Sequence, residues 1–254
     1  MSAIETLSEP QPVSMAEEWF QFATADHFWM QWRHCVLVRV LSRAGGEVHN
    51  ILEIGCGHGV AREMLEHDLG IAVDGCDLNR SVLERAKPGK GRLFVYNILD
   101  QEPSLLERYD AVLLLDVIEH IDDDAAFVRA ALRHLRPGGI VAVNVPASMM
   151  LFSDYDIAAG HVRRYTRDGL KELLDSCGVA VRGIQPWGFF MVPLLLARKI
   201  LLRRVKPVNT IQAGFAPPNA ASRLLLHGMK LLETGLPFQV PFGTSILAWG
   251  TIAH

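Results

Sequence analysis

The stretch Ile51-Leu52-Glu53-Ile54-Gly55-Cys56-Gly57-His58-Gly59-Val60 decides the fold. An apolar run closes on an acid, and glycine then occupies every second position. Such a run reads as a buried parallel strand, and Val60 to Leu69 reads as the helix that follows it. Three glycines at the junction leave the turn without β-carbons, so the backbone can approach a bound ligand closely. A nucleotide-like ligand at a strand tip, beside a helix N-terminus, is what such a junction accommodates. The dinucleotide fingerprint spaces its glycines G-x-G-x-x-G. Here the spacing is G-x-G-x-G, with Glu53 two residues ahead of the first glycine, which speaks against a nicotinamide-dependent dehydrogenase.

Outward from that turn, strands and helices alternate. Ile71 to Cys76 reads as a second strand running into Asp77, about 20 residues past the glycines, where an acid can accept hydrogen bonds from both ribose hydroxyls. Arg92 to Tyr96 leads into Asn97-Ile98-Leu99-Asp100. Tyr109 to Leu115 is followed by Asp116-Val117-Ile118-Glu119-His120, and Leu135-Arg136-Pro137-Gly138-Gly139 opens a fifth strand that ends at Pro146. Strands alternating with helices predict a doubly wound, mostly parallel sheet with right-handed crossovers.

These segments, in this order, resemble the motifs of class I S-adenosylmethionine-dependent methyltransferases. The resemblance implies an α/β Rossmann-like sheet of seven strands. Val179 to Ile184 and Ser245 to Ile252 would be the sixth and seventh, an antiparallel pair at the sheet edge. It also implies a cofactor site, with S-adenosylmethionine the methyl donor and S-adenosylhomocysteine the product. Gly55, Cys56, Gly57 and Gly59 would form the turn under the methionine and ribose, and Glu53 would attract the ammonium. Asp77 would take the ribose diol, Leu78 and Ile98 the two adenine faces, Asn97 the adenine amino group, and Asp116 the methionine end. For these polar residues, a helix N-cap or a solvated loop tip is the competing reading.

Two clusters past the strand ends could face the methyl group: Glu119-His120, and Asp154-Tyr155 together with His161 to Tyr165. His161 and His120 are the candidate bases, since their unperturbed pKa suits proton transfer near neutrality, and Tyr165 joins them. His120 competes with a role in shaping the pocket. Tyr155, Arg163 and Arg164 are acceptor-binding candidates; one arginine could instead pair with Asp154 or Asp156 to order the loop. Local sequence shows no metal-ligand spacing, so no metal is expected.

The chain has 254 residues, half of them hydrophobic, enough for one large α/β domain. A net charge of −3 argues against general nucleic-acid binding. Cys35, Cys56, Cys76 and Cys177 show no ligand spacing and read as reduced thiols in a cytoplasmic protein. Residues 1–46 are expected to form a leader, frayed over Met1 to Val13, and a helical lid over Ala16 to Arg43. Residues 47–254 are expected to form the methyltransferase domain. Within the lid, His27-Phe28-Trp29-Met30-Gln31-Trp32-Arg33 resembles an element of a bacterial methyltransferase group found among cell-surface glycan and lipid-linked sugar enzymes. Trp29 and Arg33 become acceptor-side candidates on that resemblance.

About sixty residues separate the last two strands, far more than the usual few. This insertion, 187–243, is expected to be helical. Residues 188–206 combine an apolar stretch with clustered basic side chains, a pattern suited to a membrane interface but too short to span a bilayer. A lipid-linked acceptor, a peripheral contact on the inner membrane face, a helical pair packed on the core and a dimer contact all remain open. The expected activity is O-methylation of a small or lipid-linked sugar acceptor. The alternatives are a soluble phenolic or quinone-like metabolite, or a non-catalytic cofactor-binding subunit.

Overall fold

The computed structural model describes residues 4–11, 19–45, 48–204, 220–236 and 238–252. Met1–Ala3 and Pro12–Glu18 of the expected leader and lid, Gly46, and residues 47, 205–219, 237 and 253–254 of the expected methyltransferase domain lie outside the described residues. The strands are β1 Ile4–Thr6, β2 Asn50–Ile54, β3 Ala72–Asp77, β4 Leu93–Val95, β5 Tyr109–Leu115, β6 Leu135–Pro146, β7 Val179–Trp187 and β8 Ser245–Ile252. They form one sheet in the order β1-β4-β3-β2-β5-β6-β8-β7, parallel except for β8, which runs antiparallel between β6 and β7. This is the Rossmann-like α/β arrangement that the motifs predict, with one strand more.

The added strand corrects the expectation of fraying over residues 4–8. Ile4–Thr6 pairs in parallel with Leu93–Val95, and the amides of Leu7 and Ser8 both donate to the Val95 carbonyl. Ser8 then donates from its hydroxyl to Asp100 and accepts the Asn97 amide. An otherwise open sheet edge offers unpaired backbone groups, and residues 4–8 satisfy them.

Side chains alternate across the sheet. Val112 and Leu114 of β5 pack with Leu52, Ile54, Val141 and Val143 on one face. Ala111, Leu113 and Leu115 join Ile51 and Ala142 on the other, under Trp32, Val36 and Leu37. That alternation within near-continuous apolar strands is the mark of a sheet covered on both sides. Helix α3 (Val60–Leu69) lies between two left-handed glycines, Gly59 and Gly70, and spans the predicted residues.

The aromatic N-terminal segment breaks where one helix is expected. Helix α1 covers Trp19–Phe22 and α2 covers Phe28–Ala44. Between them His27 caps α2 by accepting the Trp29 amide, and the His58 imidazole bonds the Ala23 carbonyl at 2.7 Å. These polar partners satisfy the backbone groups that the break frees.

Helix α4 (Arg80–Leu83) follows β3, α5 (Asp124–Leu132) follows β5, and α6 (Asp154–Ala159) and α7 (Arg167–Ser176) follow β6. Thr166 caps α7 through the Gly169 amide, as predicted. The insertion holds α8 (Val192–Arg204) and α9 (Ala220–Thr234). Helix α9 packs on α2 through buried Leu226, and Arg39 of α2 donates to the Thr234 carbonyl. No helix among the described residues is long and apolar enough to cross a membrane.

Candidate active site

A cavity of about 300 Å³ opens at the C-terminal ends of β2, β3 and β5. The glycine turn forms its floor. Gly55, Gly57 and Gly59 all adopt left-handed backbone, with φ of 70°, 56° and 76°. A Cβ at Gly55 would stand 2.7 Å from the Val117 side chain, so the turn tolerates no larger residue without movement. Asp77 locks this turn, its two carboxylate oxygens accepting the amides of Gly57 (2.9 Å) and Asn79 (2.8 Å). Burial raises the Asp77 pKa, and those amides oppose the rise.

Glu53 lies on the other side of the turn, 3% exposed, and accepts the Arg62 amide at 3.0 Å. Burial pushes its pKa up to about 7, against the pull of Arg33 and the Arg62 backbone. Arg62 and Glu66 of α3 are themselves buried. The Arg62 guanidinium donates to the carbonyls of Val73, Lys87 and Gly91, and Glu66 accepts the amides of Val73, Lys90 and Gly91. Buried charges satisfied in this way fix α3 against the β3–β4 connection.

At the far end of the cavity Arg33 reaches Asp116 at 2.7 Å, both side chains largely buried. The second Asp116 oxygen accepts from Asn144 (2.8 Å), whose own carbonyl oxygen accepts from the Trp187 indole (2.8 Å). Burial raises the Asp116 pKa and Arg33 opposes it. Asp116 has a φ of 61°, a strained strand tip that presents its carboxylate to the cavity.

The structure thus brings Glu53, Gly55, Cys56, Gly57, Asp77, Leu78, Asp116, Arg33 and His120 to one cavity wall. Gly59 caps α3 behind the turn, and Ile98 is buried in the core beneath it. Asn97 caps the short turn Ile98–Asp100 by accepting the Leu99 amide at 3.1 Å, the competing reading for that residue. Trp29 stacks on Trp187 and under Arg33, outside the cavity wall.

Trp19 and Phe20 line the cavity although the sequence does not single them out from the other aromatics. Phe20 lies against Gly57, where a Cβ would meet its ring at 3.0 Å. The only hint in the sequence is the aromatic density itself.

On the acceptor side, the turn Ile118–His120 meets the loop after α6. The Val162 amide donates to the Glu119 carbonyl, and His120 Nδ1 lies 3.1 Å from the Gly160 carbonyl. Burial, with His161 beside it, lowers the His120 pKa to about 4, so this imidazole is neutral at neutral pH. His161 contacts Asp156 at 3.0 Å and lies behind the wall. Arg164 is buried against Asp156 at 2.8 Å, while Arg163 pairs with Asp124. Both arginines order the loop instead of pointing into the cavity. The Tyr165 hydroxyl donates to Asp124 at 2.7 Å, and Tyr155 is buried under the Arg198 guanidinium.

A family model described as a methyltransferase domain matches residues 24–182, which contain the glycine turn, Asp77 and the acceptor-side loops. The chain belongs to the methyltransferase-domain family. This methyltransferase is 29% identical over 160 residues to a Mycolicibacterium smegmatis protein named as an S-adenosylmethionine-dependent methyltransferase, the match covering 61% of each chain. It is 31% identical over 158 residues to a ubiquinone biosynthesis O-methyltransferase of Methylobacterium sp., covering 59% of this chain and 57% of that one. The chain therefore spans about three fifths of the length of the curated relatives it matches. A solved S-adenosylmethionine-dependent methyltransferase from Archaeoglobus fulgidus shares the fold. Its TM-score is 0.55 at 16% identity, over 85% of this chain and 92% of that one.

Proposed function

We propose that the chain transfers a methyl group from S-adenosylmethionine to a hydroxyl of a small amphiphile with an apolar tail. The observation that carries the cofactor half is the convergence of Glu53, the three-glycine turn and Asp77 on one cavity. Glu53 meets the ammonium, the bare turn admits the ribose, and Asp77 keeps lone pairs for the diol beyond those given to Gly57 and Asn79. Leu78 and Phe20 bound an apolar slot suited to adenine.

Methyl transfer is a displacement at an already activated carbon. The acceptor oxygen forms the new bond, the sulfonium–carbon bond breaks, its electrons return to sulfur, and the acceptor proton leaves to a nearby base or water. Proximity and alignment supply much of the acceleration. His120 forms the acceptor side of the cavity wall, with His161 behind it.

An apolar tail is supported by the surface beside the acceptor loops. Met149 and Met150 are exposed after β6, and Lys199 of α8 donates to the Met150 carbonyl. Leu194 and Ile200 of α8, and Leu224, Leu225, Leu231 and Leu232 of α9, are exposed as well. The head group is a sugar or a phenol. The name of the Methylobacterium relative favours the phenolic, quinone-type version, and the resemblance of the aromatic lid favours the sugar. The chain works at the membrane surface, resting on α8 and α9.

The test incubates purified protein with radiolabelled S-adenosylmethionine and a cell lysate, then partitions the label. Label in the organic phase, absent with Asp77→Ala, supports this reading. Label confined to water-soluble products, or no transfer above the Asp77→Ala control, defeats it.

A further inference from the structure

The cluster on the acceptor side contains a group that no hydrogen bond explains. Glu119 is completely buried, and neither of its carboxylate oxygens has a partner. A buried carboxyl left without a hydrogen bond or cation is unfavourable, and no described side chain supplies either within hydrogen-bond distance. His120 Nε2 is also buried and without a partner. One donor atom each from Glu119, His120 and His161 lies within 4.8 Å of the others.

The orientation of the two imidazoles sharpens this. His120 Nδ1 is 3.1 Å from the Gly160 carbonyl, which can only accept, so its proton sits on Nδ1 and Nε2 carries a bare lone pair. His161 Nδ1 is 3.0 Å from Asp156. Arg164 Nε donates to that same Asp156 oxygen at 2.8 Å and the Ser153 amide donates to the other, so the carboxylate is the acceptor and His161 Nδ1 the donor. That turns His161 Nε2 toward Glu119, 4.0 Å from its Oε1 and too far for a hydrogen bond. Each Nδ1–H held by a carbonyl or carboxylate, with Nε2 turned to a common point, is how metal-binding histidines are oriented.

We propose that Glu119, His120 and His161 bind a divalent cation of the zinc class. Two imidazoles and one carboxylate suit zinc or its neighbours better than magnesium, which prefers oxygen ligands throughout. Three protein ligands leave a further coordination position open. His120 also lines the cavity, so the site adjoins the acceptor side. The ligands come from two loops stitched together by the Val162 amide and the Glu119 carbonyl at 2.9 Å. Local spacing in the sequence could not announce such a site, and the expectation of no metal rested on that spacing alone.

The experiment uses full-length, tag-free protein stripped of metal, titrated with zinc chloride against a chromophoric chelator and with cobalt chloride in the visible spectrum. Expected is one equivalent of either metal, with cobalt d–d bands and no thiolate charge-transfer band. Glu119→Gln and His161→Gln should each weaken zinc at least tenfold. His67→Gln, an exposed control, should leave it unchanged. Cooperative melting of each variant checks its fold, and if Glu119→Gln does not fold, His161→Gln decides alone. No stoichiometric binding of either metal, a thiolate signature, or unchanged affinity in the folded variants overturns the proposal.

Discussion

Replacing Glu53 by glutamine should make the free protein more stable while weakening its cofactor site. The native carboxyl titrates near 7 instead of at its ordinary 4.5, chiefly through burial. Between those values the native state holds a proton that the unfolded chain has released, so stability falls as pH rises, and the loss is complete above about 7. At about 1.4 kcal/mol per pH unit the interval amounts to about 3 kcal/mol. Glutamine keeps an acceptor for the Arg62 amide but has no charge to bury. Glu53→Gln should therefore exceed wild type by up to about 3 kcal/mol at pH 8, about 6–12 °C in Tm, and converge with it below pH 4.5. Cofactor affinity should move the other way. Wild-type Kd should rise up to about tenfold per pH unit below 7, as the carboxylate that meets the ammonium is protonated, whereas the variant should be flat and weak. Scanning calorimetry and titration calorimetry from pH 4.5 to 8.5 measure both. A variant less stable than wild type at pH 8, or a wild-type Kd independent of pH, would refute the reasoning.

Gly55→Ala forces a Cβ to 2.7 Å from Val117 at a φ of 70°, and should cost about 2 kcal/mol or more and abolish cofactor binding, read by denaturation and calorimetry. Arg33→Met leaves Asp116 buried without its cation and should cost about 3–5 kcal/mol in urea unfolding. The double variant Arg33→Met/Asp116→Asn should recover most of that. Glu233→Ala removes the acceptor of the Gly188 and Phe189 amides, both at 2.7 Å, and should cost about 1–3 kcal/mol by the same measurement.

The central sheet was legible because β2, β5 and the Ile140–Val145 part of β6 are buried runs bounded by turn residues, and β3 ends on an acid at the expected distance past the glycines. Helix α3 could be bounded to the residue because glycines flank it on both sides. Strand β1 was not legible: three residues carry no period, and Ile4 earns its place only from the Leu93 and Val95 surface it meets. Adjacent Arg163 and Arg164 look alike in sequence, yet one is buried on Asp156 and the other pairs with Asp124. That difference arises from how the loop folds over α5 and α6. Likewise the Glu53, glycine and Asp77 set could be read off local spacing. The meeting of Glu119 with His161 depends on two loops that only the folded sheet brings together.

The hydrogen-bonded path from Asp116 through Asn144 to the Trp187 indole has an optical consequence. Trp187 lies 5.4 Å from Trp29 and 6.1 Å from Trp32, so three of the five tryptophans form one electronically coupled group. Any charge placed against Asp116 alters the field at that indole nitrogen. The molecule therefore carries its own emission reporter: occupation of the cavity should shift the tryptophan spectrum without a label, and Asn144→Leu should silence the shift.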